Sequence, residues 1–398
     1  MNGQRRGDGG RALESRLRGA LQAWETAGLL RRLRAPGGID LCSNDYLALA
    51  DHPLVTRRMI ETIEQHGAGS GGSRLLRGHR DAFDQVERAF AALKQSERAL
   101  YFSSGYLANL AVLSALPQRG DVILSDRFNH ASLRDGVRLA PARHAAFPHN
   151  DAAAVERLLT AHRGAGHCFV VTESLFSMDG DVAPLADYAA LCRRAGATLI
   201  VDEAHAVGVY GERGGGLLEE CGVAADDVIS INTAGKALGV SGAFVAGPAW
   251  VIDYLVQRAR PFVFSTAPPP SVAGALLASL ELVAGEPERR ARLRSLAAGG
   301  RCRFAAAGIA VPAGDSPIIP VIVGDSDRAV AVAAAMQAQG FDIRAIRPPT
   351  VAPGTARLRI SINVRLTEPV IDQAVAALAA VLERVPHRGA SPCHAVSS

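Results

Sequence analysis

Thr198-Leu199-Ile200-Val201-Asp202-Glu203-Ala204-His205 reads as a buried strand that runs into a pair of acids and a histidine. An acid at the C-terminal end of a parallel strand sits where open α/β sheets bind ligands. The same aspartate could simply cap a helix, so its neighbours decide. Upstream, short apolar runs at 99–102, 122–124 and 168–172 predict strands; downstream, 228–232 and 243–246 do the same. Helical periodicity fills most of the gaps, at 106–116 and 185–195 for example. This alternation predicts an α/β domain with a mainly parallel sheet.

Beyond that block the pattern changes. Pro261 and Pro268-Pro269-Pro270 mark a boundary. After it come a long helical stretch, a strand at 318–323, a helix near 329–339, a strand at 357–362 and a last helix. That order predicts a smaller α+β domain. Before the block, Leu13, Leu17, Leu21 and Trp24 fall at helical spacing over 11–34, and Pro36-Gly37-Gly38 ends the run. The expected division is an N-terminal leader and helical segment over 1–44, a large α/β domain over 45–270, a small domain over 271–386 and a disordered tail over 387–398. The leader, 1–11, is polar and expected to be disordered.

Composition excludes several function classes. The 398 residues carry a net charge of +4 without basic blocks, which gives no case for nucleic acid. No apolar run reaches the roughly 18–20 residues of a membrane span. Cysteines at 42, 168, 192, 221, 302 and 393 form no C-x-x-C pair, so a reducing cytoplasm is expected rather than a disulfide framework. The histidines include no H-E-x-x-H, so no metal is expected.

Of the 43 basic residues only Lys94 and Lys236 are lysine; the rest are arginine. Arginine does not lose its proton in proteins and cannot act as a nucleophilic amine. A lysine that persists in such a chain is a candidate for that role. Lys94 ends an amphipathic helix marked by Phe83, Val86, Phe90 and Leu93 and reads as a solvated surface residue. Lys236 lies in Thr233-Ala234-Gly235-Lys236-Ala237-Leu238-Gly239, a glycine-bounded turn after a strand, and reads as the reactive amine.

Other motifs are weighed against simpler readings. Gly67-Ala68-Gly69-Ser70-Gly71-Gly72 spells G-x-G-x-x-G, but 57–66 before it reads as a helix, where a dinucleotide fingerprint needs a strand. A flexible loop near a substrate entrance fits better. Gly235-Lys236-Ala237 lacks the hydroxyl residue of a P-loop. Ser103-Ser104-Gly105-Tyr106 joins a strand to a helix start, where free N–H groups and the helix dipole favour an anion; an ordinary βα turn reads the same way. His130, after another strand, could stack on a ring or merely pack. A lysine for a Schiff base, a carboxylate for a pyridine nitrogen and a phosphate cup are together what pyridoxal phosphate (PLP) requires.

Taken together, Ser43-Asn44-Asp45-Tyr46-Leu47, Gly69-Ser70-Gly71-Gly72-Ser73, Ser104-Gly105-Tyr106, Asn129-His130-Ala131-Ser132, Ser177-Met178-Asp179-Gly180, Asp202-Glu203-Ala204-His205, Thr233 to Lys236 and Phe264-Ser265-Thr266 resemble the α-oxoamine synthases. These are fold-type I PLP-dependent transferases that condense an amino acid with an acyl thioester. The resemblance runs from about residue 41 to 381. It implies that Lys236 holds PLP and serves as base, that Asp202 pairs with the pyridine nitrogen, and that His205 and Ser177 lie near the phenolic oxygen. It implies His130 on the ring and Gly105, Tyr106 and Thr233 at the phosphate, with Thr266 reaching in from the partner of a homodimer. Asn44 and Arg359 would hold the amino-acid carboxylate; Arg31 and Thr350 would touch the acyl group.

Ala345-Ile346-Arg347-Pro348-Pro349-Thr350-Val351 and Gly354-Thr355-Ala356-Arg357-Leu358-Arg359 resemble the branch of biotin biosynthesis. That branch joins L-alanine to a pimeloyl thioester of CoA or of acyl carrier protein. The alternatives are a glycine C-acetyltransferase or other member of the family and, from a different class, a non-catalytic Rossmann-like binding protein. Ser361-Ile362-Asn363-Val364-Arg365 and Arg74-Leu75-Leu76-Arg77 depart from the family pattern, which bears on the thioester site.

Overall fold

The computed structural model describes residues 4–385. The expected tail over 387–398 lies outside them, as do the first three residues of the leader. The rest of the leader is not irregular: helix α1 runs Gln4–Thr26. It also ends earlier than periodicity suggested. Gly28 takes a left-handed φ of 66°, and the N–H groups of Leu29 and Leu30 both turn back to the Trp24 carbonyl, a glycine-led helix stop. Leu13, Leu17, Leu21 and Trp24 remain about half exposed on the described chain.

After the short strand β1 (Ile39–Asp40), helices α2 (Pro53–His66) and α3 (Asp81–Lys94) lead into the main sheet. Its strands are β2 (Arg98–Phe102), β3 (Val122–Asp126), β4 (Arg143–Phe147), β5 (Cys168–Glu173), β6 (Thr198–Asp202), β7 (Val228–Thr233) and β8 (Ala243–Gly247). They lie in the order β2-β8-β7-β6-β5-β3-β4. All are parallel except β8, which runs against both its neighbours. β4 was not expected. Arg143-His144-Ala145-Ala146-Phe147 is an edge strand, mostly exposed, so it carries no apolar run to read.

The central strands are apolar along their length because both faces are covered. Ile123, Val171, Ile200, Ile231 and Val245 pack under α4 (Gly105–Ala115) and α5 (Ala131–Leu139). Leu124, Val170, Leu199, Val201 and Phe244 face the other layer, where Phe90 stacks on Phe244 at 4.1 Å between ring centroids. Helix Pro270–Gly285 packs on α2 and α3. The boundary expected at residue 270 therefore coincides with the start of a helix that covers the main sheet.

A smaller sheet follows. β9 (Ile318–Gly324), β11 (Ala345–Ile346) and β12 (Ala356–Ser361) pair antiparallel in the order β11-β12-β9. β10 (Phe341–Asp342) instead pairs with β1, and the Val364 N–H bonds the Tyr46 carbonyl at 3.0 Å. The segment around residues 39–46 is thus bound to the smaller sheet. Among the described residues, no helix is long and apolar enough to cross a membrane.

Two polar clamps fasten the loops at the ends of the main strands. Lys94 corrects its surface reading. Its side chain is 5% exposed and donates to the Glu203 carboxylate and the Gly215 carbonyl. Glu203 also accepts the Leu218 N–H at 3.0 Å. Periodicity placed Lys94 at a helix end correctly but could not show the buried acid, 109 residues away, that turns toward it. The second clamp is His149, whose two ring nitrogens meet Asp126 at 3.0 Å and Asp181 at 2.7 Å. Asp181 belongs to a hairpin closed by the Leu175–Val182 bridge. Gly180 in its turn has φ 67°, and a Cβ there would lie 2.5 Å from the Ile318 carbonyl. Only glycine lets the hairpin approach β9 so closely.

Removing one partner of a buried ion pair strands the other's charge. Lys94→Met should therefore lower stability by about 3–5 kcal/mol, read as a drop in the urea midpoint. Adding Glu203→Gln to that chain should recover much of the loss. An unchanged midpoint in Lys94→Met would sink the account. For His149, burial pushes the imidazole down, but bonds and charge from Asp126 and Asp181 outweigh it and raise it to about 9. A group raised in the fold contributes stability that is full below its ordinary value, about 6.5, and lost as pH climbs through 9. The Tm gap between wild type and His149→Gln should be widest near pH 6 and shrink toward pH 9.5. A gap that grows with pH would contradict this.

Candidate active site

Six of the seven main strands point their C-terminal ends to the same edge, and the loops after five of them carry the chemistry. The chain leaves β3 for β4 on one side but leaves β5 for β6 on the other. A crevice opens between such strands, the usual ligand position in an open α/β sheet. His130 follows β3, Glu173 ends β5, Asp202 ends β6, Lys236 follows β7 and Gly105 follows β2. The expected convergence of Asp202, His205 and Lys236 is present.

Lys236 Nζ lies 2.9 Å from His205 Nε2. His205 Nδ1 lies 2.7 Å from the Tyr46 hydroxyl. That hydroxyl donates to Asn44 Oδ1 at 3.0 Å and accepts from Arg359 Nη2 at 3.3 Å. Arg359 is further held by the Ser177 carbonyl at 2.5 Å and Ser361 Oγ at 2.8 Å. One connected set therefore joins the lysine to the smaller sheet, and it gathers Asn44, Ser177 and Arg359 as expected. Tyr46 is its hub. It stood inside a quoted motif, but nothing in the sequence singled out its hydroxyl.

A second set orients the acid. Asp202 Oδ1 accepts the Ala204 N–H at 2.9 Å, which forms the turn that projects His205. Asp202 Oδ2 accepts from Asn109 Nδ2 at 2.7 Å. Asn109 also donates to Ser132 Oγ at 2.8 Å, and Ser132 lies 2.7 Å from His130 Nδ1. Asp202 and His130 are thus bridged through Asn109 and Ser132, neither of which had been assigned a role. Asn109 did leave a signal: it is the one polar side chain in Leu107-Ala108-Asn109-Leu110-Ala111-Val112. Glu173 was missed as well. It is fully buried beside Asp202, its register partner, and accepts the His130 N–H at 2.7 Å.

Burial dominates the electrostatics. It lowers Lys236 to about 8, although Asp202 and Glu173 pull the amine up and Arg359 adds to the fall. Burial, then the charges of Lys236, Arg359 and His130, keep His205 well below its usual range and hence neutral. His130 is lowered by burial, against the pull of Asp202. Glu173 is pushed up to about 8 by burial and then by Asp202.

The residues fit PLP on these observations. The amine lies on a partly buried side chain, and desolvation gives it a substantial neutral fraction near pH 8. A buried carboxylate is oriented from behind by an amide. At the start of α4, Ser104 takes the Leu107 N–H, and the Gly105 and Tyr106 N–H groups have no protein acceptor among the described residues. A Cβ on Gly105 would meet Thr233 Oγ1 at 3.5 Å, so glycine and threonine together form a small cradle there. The Tyr106 ring points away, with its hydroxyl on Asp135.

The remaining expected residues lie further out. Arg31 Nη2 is 3.5 Å from Thr350 Oγ1, so the two residues expected at the acyl group do meet. Thr266 is exposed in the loop before Pro270 and makes no hydrogen bond within its own chain to the site residues described. Of the departures, Arg74 is committed to Glu87 and to the Phe83 ring. Ser361 holds Arg359, and Asn363 Nδ2 bonds the Asp40 carbonyl at 3.2 Å.

The model of the aminotransferase class I and II family matches residues 36–378. An 8-amino-7-oxononanoate synthase of Geobacter sulfurreducens is 44% identical over 91% of this chain and 97% of its own. An SPT structure with a PLP internal aldimine superposes at TM-score 0.85 and 30% identity, covering 87% of this chain and 88% of that one. The structure of an 8-amino-7-oxononanoate synthase from Francisella tularensis matches at 0.76 and 28%, covering 87% and 98%. The cofactor is pyridoxal phosphate. The family model over residues 36–378, the fold, and 44% identity over 91% of the chain place this protein in the 8-amino-7-oxononanoate synthase family, within aminotransferase class I and II.

Proposed function

We propose that the protein condenses L-alanine with a pimeloyl thioester to give 8-amino-7-oxononanoate, CO2 and the free thiol, in the cytoplasm and for biotin synthesis. The observation that carries this reading is Arg359, a buried guanidinium joined through Tyr46 and His205 to the Lys236 amine. An amino acid whose carboxylate docks on Arg359 presents its Cα toward that amine.

Bound PLP supplies an electron sink for the pair left at Cα when its proton departs. Lys236 anchors the cofactor and, once displaced, takes the Cα proton on Nζ; an amine lowered to about 8 is poised for that transfer. Asp202, oriented by Asn109, would hold the proton of the ring nitrogen. His130, oriented by Ser132, would lie against the ring. His205 and Ser177 serve the phenolic oxygen, and Gly105, Tyr106 and Thr233 the phosphate. Thr266 completes that cup from the second chain of a homodimer. Asn44 and Arg359 clamp the alanine carboxylate, which fixes the attacking geometry. Arg31 and Thr350 meet the acyl group, delivered on CoA or on acyl carrier protein.

Turnover measured with alanine, glycine and serine against thioesters of increasing length tests the reading. Alanine with the pimeloyl donor should give the highest kcat/KM. Each methylene buried is worth about 0.8 kcal/mol, so kcat/KM should climb about fourfold per carbon up to pimeloyl. Faster turnover of glycine with acetyl-CoA would assign the chain to a different member of the family. Arg359→Lys cannot copy the planar fork; it should raise the KM for alanine about 100-fold, roughly 2.7 kcal/mol, and leave the cofactor's visible band in place.

Borohydride reduction of the holoenzyme should fix the cofactor to a single peptide, the one bearing Lys236. Label mainly on Lys94 would overturn the assignment.

A further inference from the structure

β5 is apolar from Phe169 to Val171 and ends on Glu173, a carboxyl 3% exposed that has no cation within ion-pair distance among the described residues. Its register partner on β6 is Asp202, and neighbours in register point to the same face of a sheet. Two acids therefore stand side by side out of water. Unpaired acids are seldom left in such a place, because an isolated buried charge is expensive. The bonds Glu173 makes suggest what it is for. Oε1 accepts the backbone N–H of His130 at 2.7 Å, and the Ser177 backbone lies close enough to the carboxyl to favour its charged form. These residues lie on separate loops, after β3 and after β5, on the two sides of the crevice. Each is tied into one of the two sets described above. His130 reaches Asp202 through Ser132 and Asn109, while the Ser177 carbonyl holds Arg359.

We propose that Glu173 is a positioning residue, whose carboxyl pins the His130 backbone on one side of the crevice and packs beside the Ser177 backbone on the other, and so sets His130 against the cofactor ring and keeps the Ser177 loop in place beside Arg359. It acts through the length of its reach. Asp202, Lys236, and His130 face it directly, and Arg359 stands behind Ser177. Asp202 beside it disfavours a second negative charge, so a neutral acid is the form that fits. The inference rests on the site's being a PLP pocket and not on which thioester the enzyme accepts.

Two conservative variants of the holoenzyme separate reach from charge. Glu173→Gln keeps the acceptor oxygen at full length without the ionisable group. Glu173→Asp keeps the acid but falls one methylene short of the His130 N–H. Induced circular dichroism of the bound cofactor reports how its ring is held, with no acyl donor present. At pH 7 Glu173→Gln should keep most of the wild-type dichroism and L-alanine affinity, and its loss in kcat/KM should be clearly smaller than that of Glu173→Asp. Glu173→Asp should lose much of the dichroism and at least tenfold in kcat/KM, since a misplacement near 1 Å can cost up to about 100-fold. A wild-type Glu173→Asp enzyme, or a Glu173→Gln enzyme more damaged than Glu173→Asp, would overturn the proposal. Because dichroism and alanine binding need no thioester, they decide it even where the pimeloyl reading fails.

Discussion

An amine kept out of water is the constraint around which this molecule is arranged. Lys236 can be a nucleophile and a base near neutral pH only if its charged form is made costly, and burial does that. Burial alone would leave an awkward group in the core, so the surroundings limit the cost. Asp202 draws the amine back up, as does Glu173 when ionised, Arg359 opposes them, and a neutral His205 meets it at 2.9 Å. The position that results, about 8, is a balance between a desolvation large enough to activate the amine and carboxyls near enough to keep it from being lost as a hydrogen-bonding group.

That balance depends on topology. A parallel sheet covered on both faces delivers its strand ends to one edge, which is how residues from 105 to 236 share one crevice. The smaller sheet then supplies what the main sheet lacks, a guanidinium facing the amine. β12 brings Arg357 and Arg359 out on one face: Arg357 pairs with Asp179, and Arg359 takes the Ser177 carbonyl. Both partners lie on the hairpin that His149 ties to Asp126. The hairpin, with Gly180 pressed on β9, is the part through which the two sheets fix each other's side chains.

Much of this was legible from the residues alone, for physical reasons that differ by element. Buried strands such as Thr198–Asp202 announce themselves because both faces exclude water. The strand Arg143–Phe147 does not, because an exposed edge asks nothing apolar of its side chains. Lys236 stood out through the scarcity of lysine, and its neighbours Asp202 and His205 through their place at a strand end. Asn109 and Tyr46 reach partners 23 to 313 residues away in the chain, and sequence spacing holds no trace of such partners. Glu173 was hidden for another reason. Acids at strand ends commonly face water or cap helices, and only the closed crevice turns this one inward.

Lys94 shows why scarcity alone does not identify a catalytic amine. The Lys94 side chain is buried and that of Lys236 partly so, and both lie close to the Asp202-Glu203 pair. Side chains of successive residues leave an extended chain on opposite sides, so these adjacent acids serve different lysines. Asp202 stays within the crevice, where its charge acts on Lys236 while its oxygens are held by Asn109 and Ala204. Glu203 turns to the other layer, where Lys94 and the Leu218 N–H occupy it. Lys94 is matched by a carboxylate in direct contact. Lys236 has no such contact; its nearest polar partner is a neutral imidazole. What separates a structural lysine from a reactive one here is whether the nearest partner carries a charge.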